Sequence, residues 1–213
     1  MCGVTPARSS RVEIAAVASA SRPRHRILFL ADHLGPDAGG TAGIHGVTTY
    51  LLDALPVLKA TGCEVGACFL RQAHPAAEAL RAAKINVHFL GTSRFDPFVV
   101  RQVEKLVLEE QYGILHCTQF RASLLARVLA RKRAGVKAVL HLHDLNMPPG
   151  PIRWTNRALA RRDDLGVCVS HAAGDIAVRG YSVAPDRVRV VHTGIDTGVF
   201  RPLSVEQRAE VRR

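Results

Sequence analysis

The stretch LGVCVSHAAGDIAVRGYSVAPDRVRVVHTG, residues 165–194, decides the fold of this chain. An apolar run occupies 165–170, helical spacing of apolar residues follows over 171–181, and a second apolar run begins at Val188. Two strands joined by one helix pair in parallel, and their crossover connection is right-handed. The stretch therefore predicts one β-α-β unit of a parallel sheet.

The same alternation extends back to Arg26. Apolar runs predict earlier strands at 26–33, 64–70, 85–91, 114–117 and 137–144, and helical spacing predicts helices at 47–62, 74–84, 96–113, 121–135 and 152–162. Pro56 lies inside the first helix and should kink it or end it early. The sequence thus predicts an α/β fold: a Rossmann-like, doubly wound parallel sheet of about seven strands with helices on both faces.

Composition limits the classes of partner. The chain has 213 residues, 47% of them apolar, and a net charge of +11. No apolar run reaches the roughly 18 residues of a membrane-spanning helix. The basic excess favours nucleic acid, anionic lipid or phosphorylated small molecules. Aromatic residues make up only 5% of the chain, so platforms for base stacking are sparse and no nucleic-acid partner is expected.

The five cysteines form no C-x-x-C pair, and several lie in strand-like runs. They are expected to be buried thiols of a protein in a reducing compartment, not ligands of a zinc site.

Three segments are expected along the chain. Residues 1–25 are rich in Ser, Ala and Arg and predict a disordered basic leader. Residues 26–203 hold the folded domain. The charged tail 204–213 is helix-prone but has no apolar stripe, so it resembles the start of a linker to a further domain.

The loops that follow the strands are the candidate sites, because open α/β sheets bind ligands at the carboxyl ends of their strands. The first loop, 34–46, is rich in glycine and enters a helix near Gly46. A helix N-terminus with free N–H groups suits a phosphate, although a plain flexible loop would have the same composition. The glycines do not form G-x-G-x-x-G and the second strand has no terminal acid, which argues against a dinucleotide site.

Histidines gather at the ends of the fourth and fifth predicted strands. His141 and His143 should lie on one face of their strand, with Asp144 on the other. Together with His116 they could ligate a metal, or His116 and His141 could be hydrogen-bonded within the sheet edge. His143 ends its strand and is the histidine expected to meet a ligand.

The predicted helix 152–162 has a basic face. Arg153, Arg157 and Arg161 recur at a spacing of four residues beside Trp154, a pattern suited to an anionic membrane surface. The alternative is an ordinary solvated face with Trp154 partly buried.

Four motifs resemble one family in order along the chain. They are HGVTTYLLDALPVLKATGCEV (45–65), ILHCTQFRASLLARVLA (114–130), VKAVLHLHDL (136–145) and VSHAAGDIAVRGYSVAPDRVRVVHTGIDTGVFRP (169–202). Together they resemble the N-terminal, acceptor-side domain of a GT-B retaining glycosyltransferase of the subfamily 4-like class. The closing segment is the most specific of the four.

The resemblance implies transfer of a sugar from a nucleotide-sugar to an acceptor, with retention and without a metal or other cofactor. It implies a cytoplasmic enzyme, peripheral at the inner membrane face, whose donor-binding C-terminal domain lies outside these residues. The same resemblance assigns the site: His143 is catalytic, His45 and Gly46 bind the donor phosphate, and His116, Thr118, Asp144 and Asn146 bind the acceptor or the sugar. Loops 34–46 and 146–151 are expected to shape the acceptor pocket.

Two positions depart from the family pattern: Thr118 replaces the second His of His-x-His, and Thr193 replaces the closing Asn. The sequence is also compatible with two other functions. One is a non-catalytic module that binds a phosphorylated ligand or docks on a partner. The other is a metal-dependent hydrolase that uses His141 and His143.

Overall fold

The computed structural model describes residues 25–35, 46–93, 96–161, 164–195, 197 and 201–212. The strands are β1 Arg26–Ala31, β2 Glu64–Phe69, β3 Asn86–Phe89, β4 Ile114–Cys117, β5 Lys137–Leu142, β6 Leu165–Cys168 and β7 Val188–Val190. The helices are α1 Gly46–Ala60, α2 Ala77–Ala82, α3 Val99–Glu109, α4 Phe120–Lys132, α5 Gly150–Leu159, α6 His171–Tyr181 and α7 Val205–Val211. The expected leader, apart from His25, and most of loop 34–46 lie outside the described residues.

The sheet confirms the predicted fold class. Its seven strands follow the order β3-β2-β1-β4-β5-β6-β7, and all neighbours pair in parallel. The winding reverses at β1, which lies between β2 and β4. This reversal is the topological switch point of a doubly wound sheet, where adjacent loops diverge and leave a crevice.

Alternation along β1 divides the core into two layers. Leu28 and Leu30 pack with residues of α3, α4 and α6, whereas Phe29 and Ala31 pack with residues of α1 and α2. Successive strand side chains point to opposite faces. Helices therefore cover both faces, and the nearly continuous apolar sequence of β1 follows from burial on both sides.

The β-α-β unit at 165–190 forms as predicted. The Ser170 hydroxyl accepts a hydrogen bond from the Ala173 N–H at 3.1 Å and caps the N-terminus of α6. At the other end Ser182 adopts a left-handed conformation, with φ of 55°, which terminates the helix. The strand that follows is shorter than predicted and ends at Val190.

Pro56 does not end α1, which continues to Ala60. A compact unit spans Pro23–His192, and Thr193–Arg213 belong to a separate one. In the latter, α7 begins with a capping box in which Ser204 and Gln207 satisfy each other's backbone N–H groups. The helical tendency of the tail is thus confirmed.

Arg127 of α4 is buried, although a basic residue in a helix is ordinarily exposed. Ser123 and Ala130, one turn before and after it, are buried, so Arg127 falls on the inward face and has no exposed surface. Its guanidinium pairs with the buried carboxylate of Asp164 at 2.9 Å and donates to Asn156 Oδ1 at 2.9 Å. The Arg127 guanidinium therefore joins α4 to the segment before β6 by a buried ion pair and to α5 by a hydrogen bond.

Helix α5 is shorter than predicted. It ends at Leu159 because Ala160 is extended, so Arg161 does not continue the row of Arg153 and Arg157. The Arg161 guanidinium instead donates to the carbonyl of Ala130 at 2.8 Å. Arg153 and Arg157 are exposed, and Trp154 keeps 68% of its surface exposed.

Candidate functional site

A cavity of about 230 Å³ opens at the carboxyl ends of the central strands. Asp32 and His33 follow β1, Thr118 and Gln119 follow β4, and His143 and Asp144 follow β5. The strand registers align these ends, with Leu30 opposite Cys117 and Cys117 opposite Leu140. The lining consists of Asp32, His33, Thr118, Gln119, Phe120, Ser123, His141, Leu142, His143, Asp144 and Tyr181. The cavity therefore lies at the switch point, where this fold binds its ligands.

Gln119 ties the two strand ends at the switch point together. Its Oε1 accepts hydrogen bonds from the backbone N–H groups of Asp32 at 2.7 Å and His33 at 3.3 Å. Its Nε2 lies 3.2 Å from Nε2 of His33. Gln119 itself has φ of 71° and ψ of 165°, a conformation that a residue with a side chain seldom adopts. Such strain, about 1–3 kcal/mol, persists where surrounding contacts enforce it, and it is concentrated at functional sites.

The Asp32 carboxylate sits at the N-terminus of α4. It accepts hydrogen bonds from the N–H groups of Ala122 at 2.8 Å and Arg121 at 3.4 Å. Burial raises the pKa of Asp32 from 3.8, while the two backbone N–H groups and the Arg121 guanidinium oppose the rise. A carboxylate from the residue after β1 thus supplies the cap that the α4 sequence lacks, since Gln119 makes no capping hydrogen bond with its side chain.

Three histidines form a stack beside the cavity. His116 Nε2 lies 2.9 Å from His141 Nδ1, and the rings of His141 and His143 are 4.0 Å apart between centroids. Phe29 stacks on His116 at 4.3 Å. Burial lowers the pKa of His116 to about 3 and that of His141 to about 2. Both imidazoles are therefore neutral at physiological pH, and the hydrogen bond joins a donor nitrogen to an acceptor nitrogen.

His143 lines the cavity together with His141. Its Nε2 is buried and makes no hydrogen bond within the described part of the chain. Tyr50 of α1 packs against it with 4.7 Å between ring centroids. Burial lowers the pKa of His143 below 6.5 against the opposing charge of Asp144, so a neutral ring presents an unpaired nitrogen to a ligand.

The structure brings together most of the residues expected at the site. Thr118, Asp144 and His143 line the cavity, and His116 lies behind them against His141. The alternative in which His116 and His141 are hydrogen-bonded at the sheet edge is confirmed. Gly46 begins α1, and Tyr50, one turn later, reaches both His141 and His143.

Of the expected site residues that the structure describes, Gly46, His116 and Asn146 are not part of the cavity lining. The N–H of the exposed Asn146 donates to Asp144 Oδ1 at 2.9 Å in a turn outside the cavity. His45 lies outside the described residues.

Sequence reasoning missed Asp32, His33, Gln119 and Tyr50. Asp32 and His33 were included in the first predicted strand, although a charged pair that ends a wholly apolar run is a detectable signal of a strand end. Gln119 directly follows Thr118, but its left-handed conformation has no signature in the sequence. The contact of Tyr50 depends on how α1 packs across the sheet.

The sequence left open a metal site at the three histidines of the stack. In the described ranges, no group of three or more His, Cys, Asp and Glu side chains is arranged to hold a metal ion. His116 and His141 direct a ring nitrogen at each other.

The described helices include none that is long and apolar enough to cross a membrane.

Comparison with known proteins finds a matching family. The family model described as Glycosyltransferase Family 4 matches residues 44–199. D-inositol 3-phosphate glycosyltransferase 1 of Catenulispora acidiphila is 26% identical over 208 residues, which cover 84% of this chain and 48% of that protein. The chain spans about half the length of the curated relatives it matches.

Solved structures share the fold. Anabaena HepE in complex with UDP matches with a TM-score of 0.62 and 20% identity, over 88% of this chain and 49% of that one. A glycosyltransferase from Rickettsia africae matches with a TM-score of 0.66 and 17% identity, over 89% and 49% of the two chains.

Proposed function

The chain belongs to glycosyltransferase family 4, and from that premise we propose that it forms the acceptor-side wall of an enzyme that transfers a sugar from a nucleotide-sugar to an acceptor. The cavity at the switch point carries the proposal. It places a neutral, unpaired His143 nitrogen beside hydroxyl, amide and carboxylate groups, which suits a polyhydroxylated ligand better than an apolar one.

We assign the reacting sugar to the space in front of His143. A neutral imidazole can hydrogen-bond a sugar hydroxyl without placing a full charge beside the anomeric carbon, and its neighbours hold it there. Tyr50 packs on one side of the ring and His141 on another. A rigid hydrogen-bonding group of this kind lowers the entropy that is lost when the sugar is oriented for reaction.

We place the donor diphosphate near the start of α1, where the resemblance puts His45 and Gly46. This helix begins at the same sheet edge as the cavity, since Tyr50 in its second turn contacts the histidine stack. Among the described residues, none has an atom within 4 Å of the position that a Cβ on Gly46 would occupy. The helix dipole and free N–H groups would stabilise negative charge that develops on the leaving diphosphate.

Retention at the anomeric carbon and the absence of a metal cofactor belong to the same proposal, and the family resemblance supports them. The net charge of the chain, +11, favours the binding of an anionic donor. We further propose that most of the donor is bound by a second domain, because the matches cover about half of each relative.

The proposal predicts that these 213 residues fold but do not transfer a sugar by themselves. The experiment compares this chain with the same chain extended by a donor-binding domain, natural or grafted from a family relative. Release of nucleoside diphosphate from a panel of nucleotide-sugars is measured against a panel of acceptors. We expect turnover only from the extended protein. Transfer by the 213-residue chain alone would contradict the two-domain proposal, and no turnover by either protein with any donor would contradict the proposed function.

The exposed face of α5 supports a second part of the proposal, peripheral contact with an anionic membrane on the cytoplasmic side. Trp154 is 68% exposed between Arg153 and Arg157, whose side chains are also exposed. Indole rings lie favourably at the headgroup level, and each basic residue near an anionic surface adds about 1 kcal/mol.

We therefore expect Trp154→Ala to lower binding to vesicles that contain phosphatidylglycerol about tenfold, which co-sedimentation measures. The matched control is Phe98→Ala, which removes another exposed aromatic ring, 61% accessible, at the start of α3. If both variants lose vesicle binding equally, or neither loses any, the membrane contact is not made through the exposed face of α5.

A further inference from the structure

The charge of the cavity lining is opposite to that of the chain. Although lysine and arginine outnumber the acidic residues by 29 to 18, neither occurs among the described residues that line the cavity. The lining holds two carboxylates, Asp32 and Asp144, together with histidines, hydroxyl groups and an amide. Burial keeps His141 and His143 uncharged, so these two rings do not offset the carboxylates.

Asp32 occupies the place where an anionic ligand would bind. The N-terminus of α4 points its first N–H groups at the cavity edge, and such a terminus is a natural phosphate site. Here the Asp32 carboxylate accepts the hydrogen bonds of Ala122 and Arg121 instead. A phosphate brought to the same N–H groups would displace this carboxylate or lie beside it, and like charges a few ångströms apart repel strongly in a partly buried site.

The groups that face Asp32 do not restore an anion site. The Arg121 guanidinium lies outside the cavity lining: its Nη2 donates to the carbonyl of Ser93 at 3.0 Å, and its buried Nη1 has no hydrogen-bond partner among the described residues. His33 faces Asp32 from the same loop and is near Gln119 Nε2. The positive end of α4 and Arg121 oppose the rise in the Asp32 pKa that burial causes, and the α4 N–H groups hold the Asp32 carboxyl group at the cavity wall.

We propose that the acceptor bound in this cavity is a polyol that is uncharged or carries an amine, and that Asp32 excludes acceptors with a phosphate at this position. The inference rests on the proposed function, since it describes the acceptor for that same cavity. Carboxylates accept hydrogen bonds from ligand hydroxyl groups or pair with an ammonium group. The unpaired Nε2 of His143, which also lines the cavity, supplies a further polar contact.

The test measures ligand preference directly on the 213-residue chain by NMR. Matched probes are myo-inositol and its monophosphate, glucose and glucose 6-phosphate, and glucosamine. Titrations follow the His143 ring and the Ala122 amide. We expect the unphosphorylated probes and glucosamine to bind at least about tenfold more tightly than their phosphorylated partners. In Asp32→Asn, whose amide oxygen can still cap α4, the ratio should fall to about threefold or less.

Asp96→Asn is the matched control. Asp96 also accepts a backbone hydrogen bond near a helix start, from Phe98 N–H at 2.8 Å, but it lies outside the cavity lining, so the ratio should stay unchanged. Equal or tighter binding of the phosphorylated probes to the natural chain would overturn the inference alone, as would an unchanged ratio in Asp32→Asn. If no probe shifts the His143 ring, the acceptor assignment in the proposed function fails together with the inference.

Discussion

Replacing His143 with alanine should lower the rate of sugar transfer by about two to three orders of magnitude in a protein that also has its donor-binding domain. The side chain presents an unpaired nitrogen to the cavity, and nothing in the described lining would take its place. The loss should appear mainly in kcat, because the contact orients the reacting sugar. Steady-state release of nucleoside diphosphate measures it.

The fold should survive this substitution, because His143 follows β5 and is only partly buried. Circular dichroism and the melting temperature check that point. His171→Ala is the matched control: it removes an exposed histidine at the first turn of α6, outside the cavity lining, and should leave turnover unchanged. A rate for His143→Ala within about threefold of the natural enzyme would show that the sugar does not lie against His143.

The pH dependence of the enzyme should be flat with respect to His116 and His141 near neutrality. Burial lowers the pKa of His116 and His141 to about 3 and about 2, so neither ring changes charge above pH 5. A depressed histidine pKa means that protonation opposes the folded state, so stability should fall only as the pH drops below 6.5, the ordinary value. Thermal melts between pH 4 and pH 8 would measure this loss on the acid side.

Arg127→Ala should have the largest effect on stability. It leaves the Asp164 carboxylate, 1% exposed, without its partner at 2.9 Å and removes the hydrogen bond to Asn156 Oδ1. Breaking a buried ion pair from one side costs about 3–5 kcal/mol. For a domain of this size that corresponds to a melting temperature lower by roughly 6–20 °C. Chemical denaturation and differential scanning calorimetry measure the change.

Two further variants separate the ion pair from a general effect of losing an arginine. Arg179→Ala breaks an exposed pair with Asp175 on α6 and should change the free energy of unfolding by less than about 1 kcal/mol. The double variant Arg127→Met, Asp164→Leu removes both charges and should recover much of the stability, because no unpaired charge remains buried. A single variant Arg127→Ala as stable as Arg179→Ala would show that the buried pair contributes little.

Part of the candidate site was predictable from order along the chain. Thr118, His143 and Asp144 were expected at the ends of their strands and line the cavity, because carboxyl ends of parallel strands share one edge. Arg127 was not predictable, because a basic residue in a helix is ordinarily placed outside. Its burial depends on the packing of α5 and of the segment before β6 against α4, which places Asn156 and Asp164 as its partners.

The sequence by itself determined the parallel α/β architecture, the approximate position of each strand and helix, and the family. These follow from local periodicity and from alternation, which depend on residues close together in the chain. The tertiary structure alone decided that Asp32 caps α4, that Gln119 joins β1 to β4, and that Tyr50 packs on His143. Each of these contacts joins residues far apart in sequence. Their pairing is fixed by strand order at the switch point, which no local pattern encodes.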